Sequence, residues 1–303
     1  MELKKIIISP YLWFLKPSKF YIIFIKFMFY IFKFVFSNLE TVLSYFKYFQ
    51  FDFLPLYMIR MPFIGVINYS FNQDILPEET MVMIKNIPIF KIGKGNKKLL
   101  YIHGGGFISG DYMSFRSFCL EIYNRYNIYN RENKDKLEIW FPIYSLCPEN
   151  NISKAIEELN YIYNNTHFSH IMADSAGGYL ALNIKNIRND TKVILISPVY
   201  DLKCQSDAYI KNYINDINFN KNLVKKIFTN IYHNINNNNI ENIENIYIFV
   251  SKNELFIYDS YKIYSINNKA KLYRYDSGIH SLPLYWKYDE KAKNCLQDIV
   301  SFL

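Results

Sequence analysis

The chain has 303 residues, half of them apolar and a fifth charged, with only ten glycines and ten prolines. That balance excludes a wholly disordered chain and a collagen-like or elastic repeat, and the length is enough for one large α/β domain with a sizeable core. Four cysteines (Cys119, Cys147, Cys204, Cys295) stand far apart with no CxxC pair, so neither a dense disulfide framework nor a zinc ribbon is supported.

The net charge of +8 sits unevenly: residues 1–48 hold seven lysines against Glu2 and Glu40. With the excess concentrated there, nucleic-acid binding loses its main support. The same region contains the run FYIIFIKFMFYIFKFVF at 20–36, apolar or aromatic except at Lys26 and Lys33. Lys19, Lys26 and Lys33 recur every seven residues, so a helix carries them as one narrow stripe and gives the rest of its circumference to Phe, Ile, Tyr and Met. Such a helix partitions into lipid. At about 1.5 Å per residue it is slightly shorter than a hydrocarbon core of about 30 Å, so spanning and lying in the interface both fit. No small-residue cleavage site follows the run, which argues against a removed signal peptide. The expectation is a membrane-associating segment over 1–50, with membrane lipid as a partner. If the helix spans, the rest of the chain lies in the lumen of the endoplasmic reticulum or secretory pathway; if it lies in the interface, the cytosolic face is the alternative.

From about residue 80 the pattern turns α/β. Residues 81–92 and 98–103 read as strands, 115–126 as a helix and 137–144 as a strand. Residues 152–164 suit a helix, a strand enters His170, Ile171 and Met172, and a helix follows over 177–187. Strands at 192–196, 246–250 and 271–275 complete the series, predicting a mostly parallel sheet covered on both faces. Residues 127–136 read as a solvated loop. Residues 201–245 hold 13 of the chain's 34 asparagines and read as an insertion between strands.

Chemistry is expected where strands end. The strand KLLYIH runs into His103, Gly104, Gly105, Gly106 and Phe107, and adjacent glycines let a backbone turn with its N–H groups aimed at one point. A second strand ends in Ala173-Asp174-Ser175-Ala176-Gly177-Gly178, a serine on a strand-to-helix turn between small residues. Small neighbours permit a strained elbow that exposes the hydroxyl, and the amide of Ala176 can join those of the glycine loop. A serine needs a base, and the base an orienting carboxylate. His280 and Glu254 each follow a predicted strand, in the order Ser, acid, His.

From about residue 80 to its end the chain resembles the hormone-sensitive-lipase-like branch of the α/β-hydrolases, which includes arylacetamide and steryl-ester deacetylases. The resemblance rests on HGGGFISG at 103–110, YSLCPE at 144–149, ADSAGG at 173–178, ISPVYDL at 196–202, NELFIYD at 253–259 and GIHSLPL at 278–284. It implies an α/β-hydrolase fold over 51–303 with a small lid from about 37–75 and the insertion 201–245. It implies ester hydrolysis with Ser175 as nucleophile, His280 as base, Glu254 as acid, and the amides of Gly104, Gly105 and Ala176 as oxyanion hole. His103, Gly106, Asp174 and Gly177 support the motifs. No metal, organic cofactor or obligatory protein partner is implied; the expected partner is a small ester, lipophilic or short in its acyl group. The branch's usual acid is Asp, so Asp259 and Asp276 stand as alternatives to Glu254. Ala173 replaces the usual Gly and Ser145 the usual Arg. An amidase, formamidase or peptidase using the same groups, or a non-catalytic binding protein on the same scaffold, are the competing readings.

Overall fold

A computed structural model describes residues 76, 78–130, 132, 135–203 and 240–303. The apolar run at 20–36, the whole of segments 1–50 and 37–75, residues 204–239 of the insertion, and Cys204 lie outside the described residues. Among those described, no helix is long and apolar enough to cross a membrane.

Eight strands are described: β1 (Glu79–Ile84), β2 (Ile87–Ile92), β3 (Lys97–Ile102), β4 (Leu137–Pro142), β5 (His170–Asp174), β6 (Lys192–Ile196), β7 (Ile246–Ser251) and β8 (Lys271–Tyr275). They form one sheet in the order β1-β2-β4-β3-β5-β6-β7-β8, antiparallel at β1, β2 and β4 and parallel from β4 to β8. The helices are α1 (Tyr112–Tyr129), α2 (Ile152–Asn164), α3 (Ala176–Leu182), α4 (Ile257–Ile266) and α5 (Glu290–Ser301).

The central strands are apolar on both sides because helices cover both faces. Their residues alternate between two cores: Leu100, Ile102, Ile171, Ala173, Val193, Leu195 and Ile248 pack with α2, α3 and α4. Leu99, Tyr101, Met172, Ile194, Ile196 and Phe249 pack with α1 and α5. Three helices start on side-chain caps, Asp111 to the Ser114 amide, Asn151 to the Lys154 amide and Asp289 to the Ala292 amide. Each cap contributes about 1 kcal/mol.

Several expectations need correction. The strand expected over 81–92 is a hairpin, β1 and β2, turned by Lys85 and Asn86 at φ 48° and 65°. No glycine marks that turn; asparagine tolerates the left-handed region, and the antiparallel partner supplies the rest. The loop expected over 127–136 begins only after α1 ends at Tyr129, and the helix expected over 177–187 stops at Leu182. Helix α5 was not expected, although Ala292, Cys295, Leu296 and Ile299 give it an i, i+3, i+4, i+7 stripe buried against α1 and the sheet.

The edge of the sheet near α1 is pinned by a buried ion pair. Arg116 donates to both oxygens of Glu79, at 2.6 and 2.5 Å, and the Tyr112 hydroxyl donates to the same carboxylate. This forked contact satisfies a charge that would be costly to bury alone.

Candidate active site

In a parallel sheet the loops that leave the carboxyl ends of the strands share one rim. The glycine loop leaves β3, Ser175 leaves β5, Ser197 leaves β6, Glu254 leaves β7 and His280 leaves β8, so all reach that rim.

Ser175 turns the chain from β5 into α3 at φ 50°, ψ −122°, a conformation that costs a non-glycine residue about 1–3 kcal/mol. Its peptide is held from both sides: its amide donates to the Ile196 carbonyl at 2.9 Å, and its carbonyl accepts from the Gly178 and Val199 amides at 2.9 and 3.0 Å. The elbow needs small residues on either side. A β-carbon on Gly177 would stand 2.2 Å from the Ile102 carbonyl oxygen, and one on Gly178 2.7 Å from Pro198.

The glycine loop lies against this elbow. A β-carbon on Gly104 would stand 2.3 Å from a carboxylate oxygen of Asp174 and 3.0 Å from Cβ of Ser175. Its course is set by where its polar groups go. The His103 carbonyl accepts from Tyr144 Oη at 2.7 Å, the Gly104 carbonyl meets His103 Nδ1 at 2.7 Å, and the Gly105 carbonyl accepts from the Ile108 and Ser109 amides and the Ser109 hydroxyl. The His103 ring stacks on Tyr144, and burial lowers its pKa to about 4, so it is neutral and donates from Nδ1 to that carbonyl.

Because the carbonyl and amide of one trans peptide point opposite ways, each commitment aims the next N–H. The Gly104 amide is thereby spent: it donates to Asp174 Oδ1 at 2.9 Å, beside the Tyr101 hydroxyl at 2.8 Å. This corrects the expectation that Gly104 contributes to an oxyanion hole. The amides of Gly105, Gly106 and Ala176 have no hydrogen-bond partner among the described residues.

His280 and Glu254 are both fully buried and meet directly, Nδ1 to Oε2 at 3.0 Å. Burial pushes the Glu254 carboxyl well up, opposed by the Ser197 hydroxyl and by the amides of Ser281 and Ser251, which favour its charged form. The two alternative acids are placed elsewhere. Asp259, in α4, accepts from the amides of Tyr200 and Asp201 at 2.7 and 3.1 Å; burial raises its pKa to about 7. Asp276 is exposed at the end of β8. Asp174 lies within electrostatic reach of His280, and burial raises it to about 6.

Ser145, in the place of the branch's usual Arg, donates from both its hydroxyl and its amide to Glu158 of α2, each at 2.7 Å. Sequence reasoning did not find Tyr101, Tyr144 or Ser197 as parts of the site. Each lay inside a quoted motif or strand, but nothing in its spacing announces a partner 41 to 84 residues away. Among the described residues no cluster of three His, Cys, Asp or Glu side chains is arranged to hold a metal ion.

The alpha/beta hydrolase fold family matches residues 99–282. Among solved structures, the esterase EstE5 soaked with ethyl alcohol is similar at TM-score 0.73 and 21% identity, with 87% of this chain and 95% of that one covered. An esterase from the bacterial hormone-sensitive lipase family gives TM-score 0.66 at 16% identity, covering 79% and 87%. A hormone-sensitive lipase from a metagenome library gives 0.67 at 18% identity, covering 79% and 89%. At these identities the likeness is one of fold. No curated protein matches the chain in sequence.

Proposed function

The chain belongs to the alpha/beta hydrolase fold family, and from that membership and the arrangement at the sheet's rim we propose that it is a serine carboxylesterase. In this reading His280 takes the proton of the Ser175 hydroxyl as it attacks an ester carbonyl, and Glu254 orients the imidazole and balances its charge. The oxyanion of the tetrahedral intermediate is received by the amides of Gly105, Gly106 and Ala176. His280 then protonates the departing alcohol, and after that activates the water that releases the acid.

The observation that carries the reading is the buried His280–Glu254 contact of 3.0 Å, on the rim that also bears a serine held at φ 50°. A buried carboxylate on Nδ1 leaves the other ring nitrogen for base chemistry and stabilises the imidazolium that forms. The strained elbow agrees with it, since a serine fixed there against its backbone preference serves exposure of the hydroxyl. The names of the similar structures, esterases and hormone-sensitive lipases, point the same way.

The substrate in this proposal is an ester with an apolar alcohol or a short acyl group, as deacetylases of the resembled branch use. The aromatic segment 37–75 and the insertion form its lid, and the run at 20–36 holds the enzyme at a membrane. Hydrolysis of p-nitrophenyl esters of graded acyl length, with Ser175→Ala as control, tests the chemistry. Turnover should fall on the order of 10⁶ in the variant, and a fluorophosphonate probe should label the wild type only. Equal ester hydrolysis by both proteins refutes the proposal; preference for arylamides over esters converts it to an amidase.

A further inference from the structure

We propose that Ser197 is a positioning residue that holds Glu254 and the loop of His280 in register with the Ser175 elbow. The proposal rests on the esterase reading and adds to it the part that joins the two halves of the site.

Ser197 is the first residue beyond β6 and is buried. Its amide donates to the Phe249 carbonyl of β7 at 2.8 Å, which fixes its place in the sheet. Its neighbours grip the elbow: the Ile196 carbonyl accepts from the Ser175 amide and the Val199 amide donates to the Ser175 carbonyl. Pro198 packs on Gly178 so closely that a β-carbon on that glycine would stand 2.7 Å from it. The Ser197 side chain faces the other half of the site. Its Oγ accepts from the Ser281 amide, the peptide that follows His280, at 3.0 Å. A hydroxyl that accepts from an amide still has its own proton to give, and in this proposal the proton is turned toward the Glu254 carboxylate, whose charged form the hydroxyl favours.

Two features make this more than packing. Ser197 sits at φ 46°, in the left-handed region that glycine adopts without strain and serine does not. A position where the side chain is a burden to the backbone carries one whose only polar atom holds the peptide that follows His280. The acid is also glutamate rather than aspartate, so its carboxylate turns about one more side-chain bond. Holding one oxygen on His280 Nδ1 therefore needs an additional anchor, and the proposal gives that part to the Ser197 hydroxyl, which already holds the peptide next to His280.

The test compares wild type with Ser197→Gly and Ser197→Ala in the full chain, reading kcat, KM, the pH profile of kcat/KM, thermal unfolding and fluorophosphonate labelling. Both variants lose the hydroxyl; glycine also relieves the φ strain, which offsets the Ser281 amide left without an acceptor and keeps that variant folded. We expect kcat to fall about tenfold or more in both, with KM within about twofold. Without the hydroxyl, the charged carboxylate beside a neutral imidazole loses more support than the ion pair does. The acid limb of the profile should therefore move to higher pH by about half a pH unit, with Asp174, the other carboxylate in reach of His280, unchanged. Wild-type kcat with an unmoved limb in the folded glycine variant overturns the inference. So does a loss of rate that merely tracks loss of folded protein. If the wild type itself neither hydrolyses esters nor takes the probe, the esterase reading falls instead.

Discussion

Replacing Asp174 by asparagine separates the two things this carboxylate does, which are to anchor the glycine loop and to carry a charge where water is excluded. Oδ1 accepts from the Gly104 amide at 2.9 Å and the Tyr101 hydroxyl at 2.8 Å, and the amide oxygen of asparagine can accept both. The charge is what the substitution removes. Burial raises the Asp174 carboxyl from its ordinary 3.8 to about 6, even though both donors and His280 pull it down. Between pH of about 4 and about 6 the folded chain thus keeps a proton that the unfolded chain has lost. Stability then falls as pH rises through that window and stays lower above it, by roughly 3 kcal/mol at 1.36 kcal/mol per pKa unit. Asp174→Asn has no such proton to lose. Urea unfolding of both proteins at pH 4, 5, 6 and 8 should show the variant gaining on the wild type by roughly 2–3 kcal/mol across the series, most of it between pH 4 and 6. A difference that is flat with pH, or that grows in favour of the wild type, refutes the assignment of a desolvated carboxylate to this position. Asp174→Ala is the complementary case. It orphans the Gly104 amide and the Tyr101 hydroxyl in the core and should destabilise by about 2–6 kcal/mol at pH 4, an effect that shrinks by roughly 3 kcal/mol toward pH 8 because alanine, like asparagine, has no proton to lose.

Other substitutions probe the same rim. Ser175→Gly removes the hydroxyl and relieves a φ of 50°, so it should abolish ester hydrolysis while raising stability by about 1 kcal/mol, measured by thermal unfolding. Glu254→Gln keeps the shape of the side chain but withdraws the charge from His280 at 3.0 Å; kcat should fall by about 10²–10⁴ with KM nearly unchanged. Gly177→Ala drives a β-carbon to 2.2 Å from the Ile102 carbonyl oxygen, and because that obstacle is backbone, soluble yield and unfolding temperature should both drop.

The fold was legible where the physics is local. Strands β6 and β8 and helix α2 occupy the residues expected, because an apolar run bounded by polar turns, or a stripe at helical spacing, needs no distant partner to be recognised. The hairpin of β1 and β2 was hidden because the two polar residues that split its apolar run, Lys85 and Asn86, include no glycine to mark a tight turn; pairing along its whole length distinguishes it from one strand. The site was legible to the same depth. Ser175, Glu254 and His280 stood out as candidates because each follows an expected strand, whereas which of Glu254, Asp259 and Asp276 meets His280 depends on tertiary distances. The role of the glycines was readable only in part. That Gly104 would spend its amide on Asp174, 70 residues away, depends on how closely β3 and β5 lie side by side.

The placement of strain argues that the rim is where this fold bears cost for a purpose. Seven non-glycine residues among those described have positive φ: Lys85, Asn86, Phe107, Ser175, Asn186, Ser197 and Ser281. Two of them make the β1–β2 hairpin, where the turn requires it. Four others, Phe107, Ser175, Ser197 and Ser281, lie in the segments that leave β3, β5, β6 and β8 at the carboxyl rim, each at about 1–3 kcal/mol. Buried carboxyls gather there as well: Asp174, Glu254 and Asp259 are all desolvated, and Glu254 raises Asp259 further. A chain selected for stability alone would place glycine at such φ values and keep carboxylates in water. At the opposite end of three of the parallel strands charge stays nearer water: Lys97 and Lys192 open β3 and β6 only partly buried, and Lys271 opens β8 in solvent, while the carboxylate buried near the start of β4, Glu138, is paired with Lys91. The difference between the two ends agrees with the chemistry proposed for one of them. Strained serines and desolvated acids persist because the two packed cores over-determine the backbone that holds them.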